Sequence, residues 1–273
     1  MARMSLAPVH PPPAGHDRRV PVYSPAIAWM MPDHGGRRHF ATTRWSLVLR
    51  AGAGASVPGA DEALASLCET YWYPLYAYLR RQGRSADEAQ DLTQAFFARL
   101  LEKRAIGRAD PTRGRFRSFL LTSLRNFAVN ERDRELASKR GGATPILSLE
   151  LQTADGRFQL EPPTDETPET IFDRRWAAAL LDRAFARLRA ETVRSGKPQH
   201  FDRLKTYLVG DQPQLTHAET ASQLGMTEGA VKVAVHRLRR QFRDLVRDEI
   251  AQTVSSPDEV DDELRHLWSA VRG

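Results

Sequence analysis

Two closely spaced helix starts near the C-terminal end constrain the fold of this chain more than any other sequence feature. Thr216 and Glu219 have the spacing of a capping box, in which each side chain satisfies a backbone amide of the other residue. A Leu-Gly-Met turn follows at 224–226, and Thr227 can cap a second helix. Apolar residues then recur at intervals of 4, 3, 4 and 3: Val231, Val235, Leu238, Phe242 and Leu245. The stretch 216–247 therefore predicts a helix-turn-helix.

The second of these helices carries a strongly basic face. Residues 229–247 contain six Lys and Arg against one acidic residue, Asp244. A helix whose N-terminal end enters the major groove of DNA needs small or polar residues first and flanking cations. The residues with these properties are Thr227, Glu228, Gly229, Lys232, Val233, His236, Arg237 and Arg240. This pattern favours a helix that reads duplex DNA, and the alternative is a merely solvated basic helix in a bundle.

Composition excludes several classes of protein. The 273 residues are enough for one large domain or two small ones, and the net charge of +6 favours an anionic partner if the cations cluster. With one cysteine, Cys68, the chain forms no internal disulfide and no cysteine-based zinc site, and a reducing cytoplasm fits best. No apolar run approaches the roughly 20 residues that span a bilayer, so we expect no membrane segment.

Strand signatures are almost absent, so we expect an all-α fold of two helical domains. Helices are predicted at about 62–81, 85–103, 115–138, 170–194, 198–209, 216–224 and 228–249. Ser85 and Glu88 have the spacing of a second capping box, at the start of the second of these helices. Residues 143–173 are rich in acid and proline and predict a linker between domains at 41–142 and 174–250. Residues 1–40 predict a disordered extension, and 251–273 an acidic tail.

The first domain contains its own cationic stretch. Residues 104–140 hold ten Arg and Lys against four Asp and Glu, and Phe116, Phe119, Phe127, Asn126 and Asn130 lie among them. Cations bind phosphates, aromatic rings stack on unpaired bases and amides read base edges, so the mixture suits single-stranded or melting DNA. Phenylalanines at this spacing are also common in cores, and for Phe119 and Phe127 the core is the favoured alternative.

An acidic helix start at 87–97 is the third feature. Carboxylates in a first turn complement the helix dipole, which accounts for Asp87 and Glu88. Asp91 and Gln94 lie three residues apart beside Leu92 and predict a docking face for a partner. Clustered carboxylates also occur in metal-dependent nucleases, although no nearby Lys or His completes such a site.

Three segments together resemble the sigma-70-type family, and within it the extracytoplasmic-function (ECF) sigma factors. Residues 87–101 are similar to the family segment D-A-E-D-L-x-Q-E-x-F-x-x-L. Residues 116–134 resemble F-x-x-W-L-x-x-I-A-x-N-x-x-x-D-x-x-R, with Phe119 or Leu120 where the family has tryptophan, and 216–240 resemble Y-x-E-I-A-x-x-L-G-x-S-x-G-T-V-K-S-R-L-x-R-A-R. Residues 229–239 and 249–254 further resemble a subgroup common in planctomycetes and acidobacteria.

The resemblance implies a promoter-specificity subunit without catalytic residues, metal or cofactor. Its partners would be the clamp helices and flap of core RNA polymerase, promoter DNA and, where one exists, an anti-sigma factor. The residues implied for polymerase binding are Asp91, Leu92, Gln94 and Phe97. Those implied for binding the melted minus 10 strand are Arg113, Arg115, Phe116, Phe119, Asn126 and Arg132, with the loop 110–115. Residues 227–240 are implied to read the minus 35 box.

Two further hypotheses follow from the sequence. A stand-alone helix-turn-helix regulator, which binds duplex DNA without polymerase, is the alternative function. The acidic tail is expected to fold back on the basic helix, because opposite charges within a Debye length of about 8 Å attract each other.

Overall fold

The computed structural model describes residues 44–45, 58–102, 115–137, 158, 165–196, 198–208, 215–254 and 256–272. These residues form eight α-helices and a short 3₁₀ helix at Lys205–Tyr207: α1 (Ala60–Arg81), α2 (Ala86–Glu102), α3 (Phe116–Ala137), α4 (Pro168–Arg194), α5 (Pro198–Leu204), α6 (His217–Leu224), α7 (Glu228–Ala251) and α8 (Asp258–Arg272). The predicted all-α class is confirmed. The predicted extension at 1–40 and most of the loop at 110–115 lie outside the described residues.

Both predicted capping boxes form. At the start of α2, the Ser85 amide donates to the Glu88 carboxylate at 2.8 Å, and the Glu88 amide donates to the Ser85 hydroxyl at 3.2 Å. At the start of α6, the corresponding distances between Thr216 and Glu219 are 2.7 and 3.2 Å. Such caps contribute about 1 kcal/mol each to helix stability. They explain why these two helix starts were predictable from the sequence.

Helix α4 begins inside the predicted linker. Thr167 caps it by accepting a hydrogen bond from the Thr170 amide, and Pro168 occupies the first turn, where its missing N–H is harmless. Ile171 and Phe172 in the next turn are buried. The expectation that the linker continues to residue 173 is therefore wrong, because this proline starts a helix rather than breaking one.

Helix α4 joins the helices of the two predicted domains into one core. We call α1–α3 the first block and α4–α7 the second block. Helix α4 makes the most extensive helix contact of the described fold with α1, and it also packs against α7 and α8. Within this core the Trp176 indole donates to the Tyr71 hydroxyl at 2.9 Å. The buried residues of both blocks form one hydrophobic cluster. The helices of the first block are thus positioned relative to α7 through α4.

The acidic tail folds as helix α8. Its buried apolar residues are Val260, Leu264, Leu267 and Trp268, which face α4 and α7. Within the described residues, no helix combines the length and the hydrophobicity of a transmembrane span.

Candidate nucleic-acid interface

Helices α6 and α7 are joined by a three-residue turn at 225–227. Gly225 ends α6 in the left-handed conformation, with φ of 62°, and the Met226 amide donates to the Ala221 carbonyl at 3.0 Å. Thr227 caps α7 by accepting a hydrogen bond from the Ala230 amide at 3.2 Å. The turn therefore has the geometry that the sequence predicts, and it fixes where the N-terminal end of α7 emerges.

Tyr207 ties this pair of helices together from the preceding 3₁₀ helix. Its hydroxyl lies 2.8 Å from the Thr220 hydroxyl of α6, and its carbonyl accepts from the Arg239 guanidinium of α7 at 3.1 and 3.2 Å. Burial lowers the pKa of Arg239. Arg239 is thus a structural residue of the helix pair, although the sequence counts it with the basic face.

One face of α7 is exposed along its first four turns, and we call it the α7 face. All eight residues predicted for the minus 35 box lie on it and are exposed: Thr227, Glu228, Gly229, Lys232, Val233, His236, Arg237 and Arg240. The opposite face is buried by Val231, Val235, Leu238 and Phe242. The predicted residues therefore share one solvent-facing surface.

The α7 face is close to neutral at the start of the helix and positively charged farther along it. Near its start, Lys232 Nζ lies 2.7 Å from Glu228, and this hydrogen bond and charge lower the pKa of Glu228. Within the described residues, Arg237 and Arg240 form no ion pair, so their guanidinium groups face solvent. The free cations are thus available to phosphate groups, which dominate protein affinity for DNA.

The phenylalanines predicted to meet the melted strand lie mainly in the core. Phe116 is 0% exposed, and its ring centroid lies 4.9 Å from that of Trp45 and 5.0 Å from that of Tyr71. Phe127 is also buried, as the alternative interpretation expected, and Phe119 is half-buried against Trp45. Phe116 therefore does not reach the surface of this structure, because its side chain anchors α3 to α1.

Arginines at the start of α3 are engaged by acids of α8. Arg115 Nη1 lies 3.2 Å from the Glu263 carboxylate and its Nη2 lies 3.4 Å from that of Asp262. Arg117 is buried, and its Nε and Nη1 donate to Glu263 at 2.9 Å and to Asp173 at 2.8 Å. Burial opposes the charge of Arg117, yet these carboxylates raise its pKa. Arg115 therefore does not present a free cation, contrary to its predicted role.

A smaller polar face remains exposed farther along α3. Asn126, Asn130 and Val129 lie on it, and Val129 is 60% exposed. Arg125 is also exposed, and its guanidinium is paired with Glu169 at the start of α4 and donates to the Tyr78 hydroxyl. Arg113 and the Arg132 side chain lie outside the described residues. Of the predicted minus 10 residues with described side chains, Asn126 alone is exposed rather than buried or half-buried.

The predicted docking face on α2 is partly formed. Asp91 is exposed, and Leu92 and Gln94 are half-buried. Phe97 is 3% exposed and packs against Phe96, with 5.4 Å between ring centroids. Phe97 therefore belongs to the core and offers no exposed side chain to a partner.

A buried acid in α7 was missed by the sequence reasoning. The Glu249 carboxylate is 1% exposed and accepts from Arg183 at 3.1 Å and from Arg187 at 2.7 Å, both on α4. Burial opposes its charge, but the arginines lower the pKa of Glu249. The burial of Glu249 was predictable from its position, because it follows Leu245 by four residues and so continues the apolar stripe of α7.

The acidic tail does not cover the α7 face. Its Asp261 pairs with Arg247 at 2.6 Å, near the C-terminal end of α7. Arg247 lies about two turns after Arg240 and about three turns after Arg237. The tail therefore folds back, as expected, but onto the end of the basic helix and onto α3. Among the residues that the structure describes, no cluster of three or more metal-binding side chains is present.

Comparison with known proteins adds one match. No curated protein and no solved structure gives a significant match to the chain. Residues 67–136, which run from α1 to the end of α3, match the family model described as Sigma-70 region 2. Factors of the sigma-70 family act in promoter recognition and transcription initiation and are not enzymes. The chain is therefore similar to this family over the three helices α1, α2 and α3.

Proposed function

We propose that this protein is an ECF-type sigma factor that binds core RNA polymerase and directs promoter recognition and strand opening. The observation that carries the proposal is the occurrence of two features in one chain. These are the Sigma-70 region 2 match at 67–136 and, after it, a helix-turn-helix whose exposed face is cationic. Such a factor needs one module that contacts polymerase and the melted strand, and a second module that reads duplex DNA.

The first block would supply contacts with polymerase and with the melted strand. Asp91, Leu92 and Gln94 are the proposed docking residues on α2, since their side chains reach the surface at least in part. On α3, the exposed amide of Asn126 would meet unpaired bases, and Arg113 and Arg132 stay in the proposal as cations for the strand. Phe119 would join them only after moving away from Trp45.

The second block would read the minus 35 box in duplex form. The N-terminal end of α7 would enter the major groove, with Arg237 and Arg240 on phosphates. The helix-turn-helix also fits the proposed ECF type, and the sequence of 229–239 fits the planctomycete and acidobacterial subgroup. The proposal places the protein in the bacterial cytoplasm, where its polymerase partner acts.

A stand-alone regulator of duplex DNA is the second candidate. One observation favours it: α4 packs against both α1 and α7, so the two blocks share a core. A protein that only binds duplex DNA has no need to move these blocks apart. A sigma factor that spans two promoter elements must separate them when it engages polymerase.

Association with core polymerase distinguishes these functions. The full chain, mixed with bacterial core polymerase, should elute with it on size exclusion, and Asp91→Asn should weaken that association. Asp258→Asn serves as the matched control, because Asp258 is an exposed acid in the first turn of α8. Duplex binding without any association with polymerase would favour the stand-alone regulator and contradict the proposal.

A further inference from the structure

An exposed valine lies at the centre of the α7 face. Val233 is 50% exposed, while Val231 and Val235, two residues to either side, are 0% and 4% exposed. Because helix positions two apart lie on nearly opposite sides, Val233 points away from the core. It shares its side of the helix with His236 and Arg237, three and four residues later. An apolar side chain is thus surrounded by polar and cationic ones.

The glycine one turn earlier is not needed by the folded chain. A Cβ built on Gly229 meets no other atom within 4 Å, and Gly229 is not among the described glycines with positive φ. Glycine is nevertheless less favourable than alanine inside a helix. The absence of a side chain here leaves the backbone open to close approach by a partner, directly beside Val233.

The chemistry of the partner follows from these neighbours. Arg237 and Arg240 favour a polyanion, and an apolar side chain next to an uncovered stretch of backbone favours an apolar group on that polyanion. The edges of base pairs in the major groove display one such group, the 5-methyl of thymine. We propose that Val233 contacts a thymine methyl group, an inference that rests on the proposed duplex-reading role of α7. This contact makes thymine the preferred base at one position of the DNA site.

Removing the 5-methyl group of single thymines in the DNA tests this contact. Duplexes that bind the full-length chain are first selected from a random pool, with core polymerase present. Each thymine of the selected duplex is then replaced by deoxyuridine, which removes the methyl and keeps the base pairing. At one position we expect the replacement to weaken binding by about threefold to fivefold, the size expected for one buried methyl group.

The variant Val233→Ser assigns the effect to this residue. It should bind the thymine and deoxyuridine duplexes equally at that position, because its apolar surface is lost. Val193→Ser is the matched control, since Val193 is 48% exposed but lies near the end of α4, and it should keep the sensitivity of the natural chain.

The outcomes separate this inference from the function on which it rests. If duplexes are selected but no deoxyuridine replacement matters, or if Val233→Ser keeps the same sensitivity, the thymine contact is overturned while duplex reading stands. If no duplex is selected at all, the duplex-reading role falls and the inference falls with it.

Discussion

Arg117 of α3 and Glu263 of α8 form a buried two-point ion pair. Arg117 Nε and Nη2 donate to the two Glu263 oxygens at 2.9 and 3.2 Å, and Asp173 of α4 accepts from the same guanidinium. Three helices that are distant in sequence therefore meet at one charge cluster. The pair connects the segment that matches Sigma-70 region 2 to the last helix of the chain.

Removing Glu263 should destabilise the fold strongly. Glu263→Ala leaves the Arg117 charge buried with one partner fewer, and breaking a buried ion pair on one side costs about 3–5 kcal/mol. Urea unfolding measures this change in the free energy of unfolding. Asp262→Ala is the control, because Asp262 is an exposed partner of Arg115 and should lose at most about 1 kcal/mol. Equal effects of the two variants would contradict a buried role for Glu263.

Acid should destabilise the protein through Glu249. Its folded pKa is held below the usual range of a glutamate carboxyl, so its contribution to stability is complete above the unfolded pKa and is lost as the pH falls through the folded pKa. We expect the free energy of unfolding to decrease as the pH falls below about 4.3, the usual pKa of glutamate. Glu249→Gln should be less stable at pH 7 and should show a shallower pH dependence in this acid range. An unchanged dependence would remove Glu249 from this account.

Arg240 should bind phosphate. Arg240→Ala should weaken duplex binding for all sequences alike and reduce the slope of log affinity against log salt by about 0.9, the value for one phosphate contact on B-DNA. Arg247→Ala tests the assignment, because Arg247 lies on the same helix but pairs with Asp261 away from the α7 face. A salt slope that changes with Arg247 and not with Arg240 would place the phosphate contacts elsewhere.

Cys68 should resist alkylation in the native protein. Burial, together with the neighbouring Glu69 charge, raises the pKa of its thiol to about 12. Thiolate is the reactive form, and at pH 8 almost none exists. Mass spectrometry after iodoacetamide treatment should show labelling of Cys68 in urea and very little without it. Rapid labelling of the folded chain would contradict the packing of α1.

Helix starts and apolar stripes were predictable because their signals are local. The Ser85–Glu88 and Thr216–Glu219 boxes and the stripe from Val231 to Leu245 all appear in the structure as the spacing predicts. The predicted linker extended too far because of Pro168. Proline breaks a helix in its interior but is favourable in its first turn, where Pro168 lies.

The candidate site was predictable on α7 and less so on α3. The α7 face follows from helix periodicity alone, because its buried and exposed sides separate cleanly. Phe116 is buried against Tyr71 of α1, and Arg115 and Arg117 meet acids of α8 that are more than a hundred positions away. Local patterns carry no information on such contacts, so the cationic count of 104–140 overstated the free charge on α3.

Transcription with purified core polymerase shows whether this chain selects the sites at which RNA synthesis starts. Core enzyme alone, and core enzyme with the full chain, would be incubated with genomic fragments and nucleotides, and the 5′ ends of the transcripts mapped. We expect the full chain to direct transcripts from a limited set of start sites that share two upstream sequence elements. Transcripts identical to those of core enzyme alone, from a chain that still binds duplex DNA, would contradict the account.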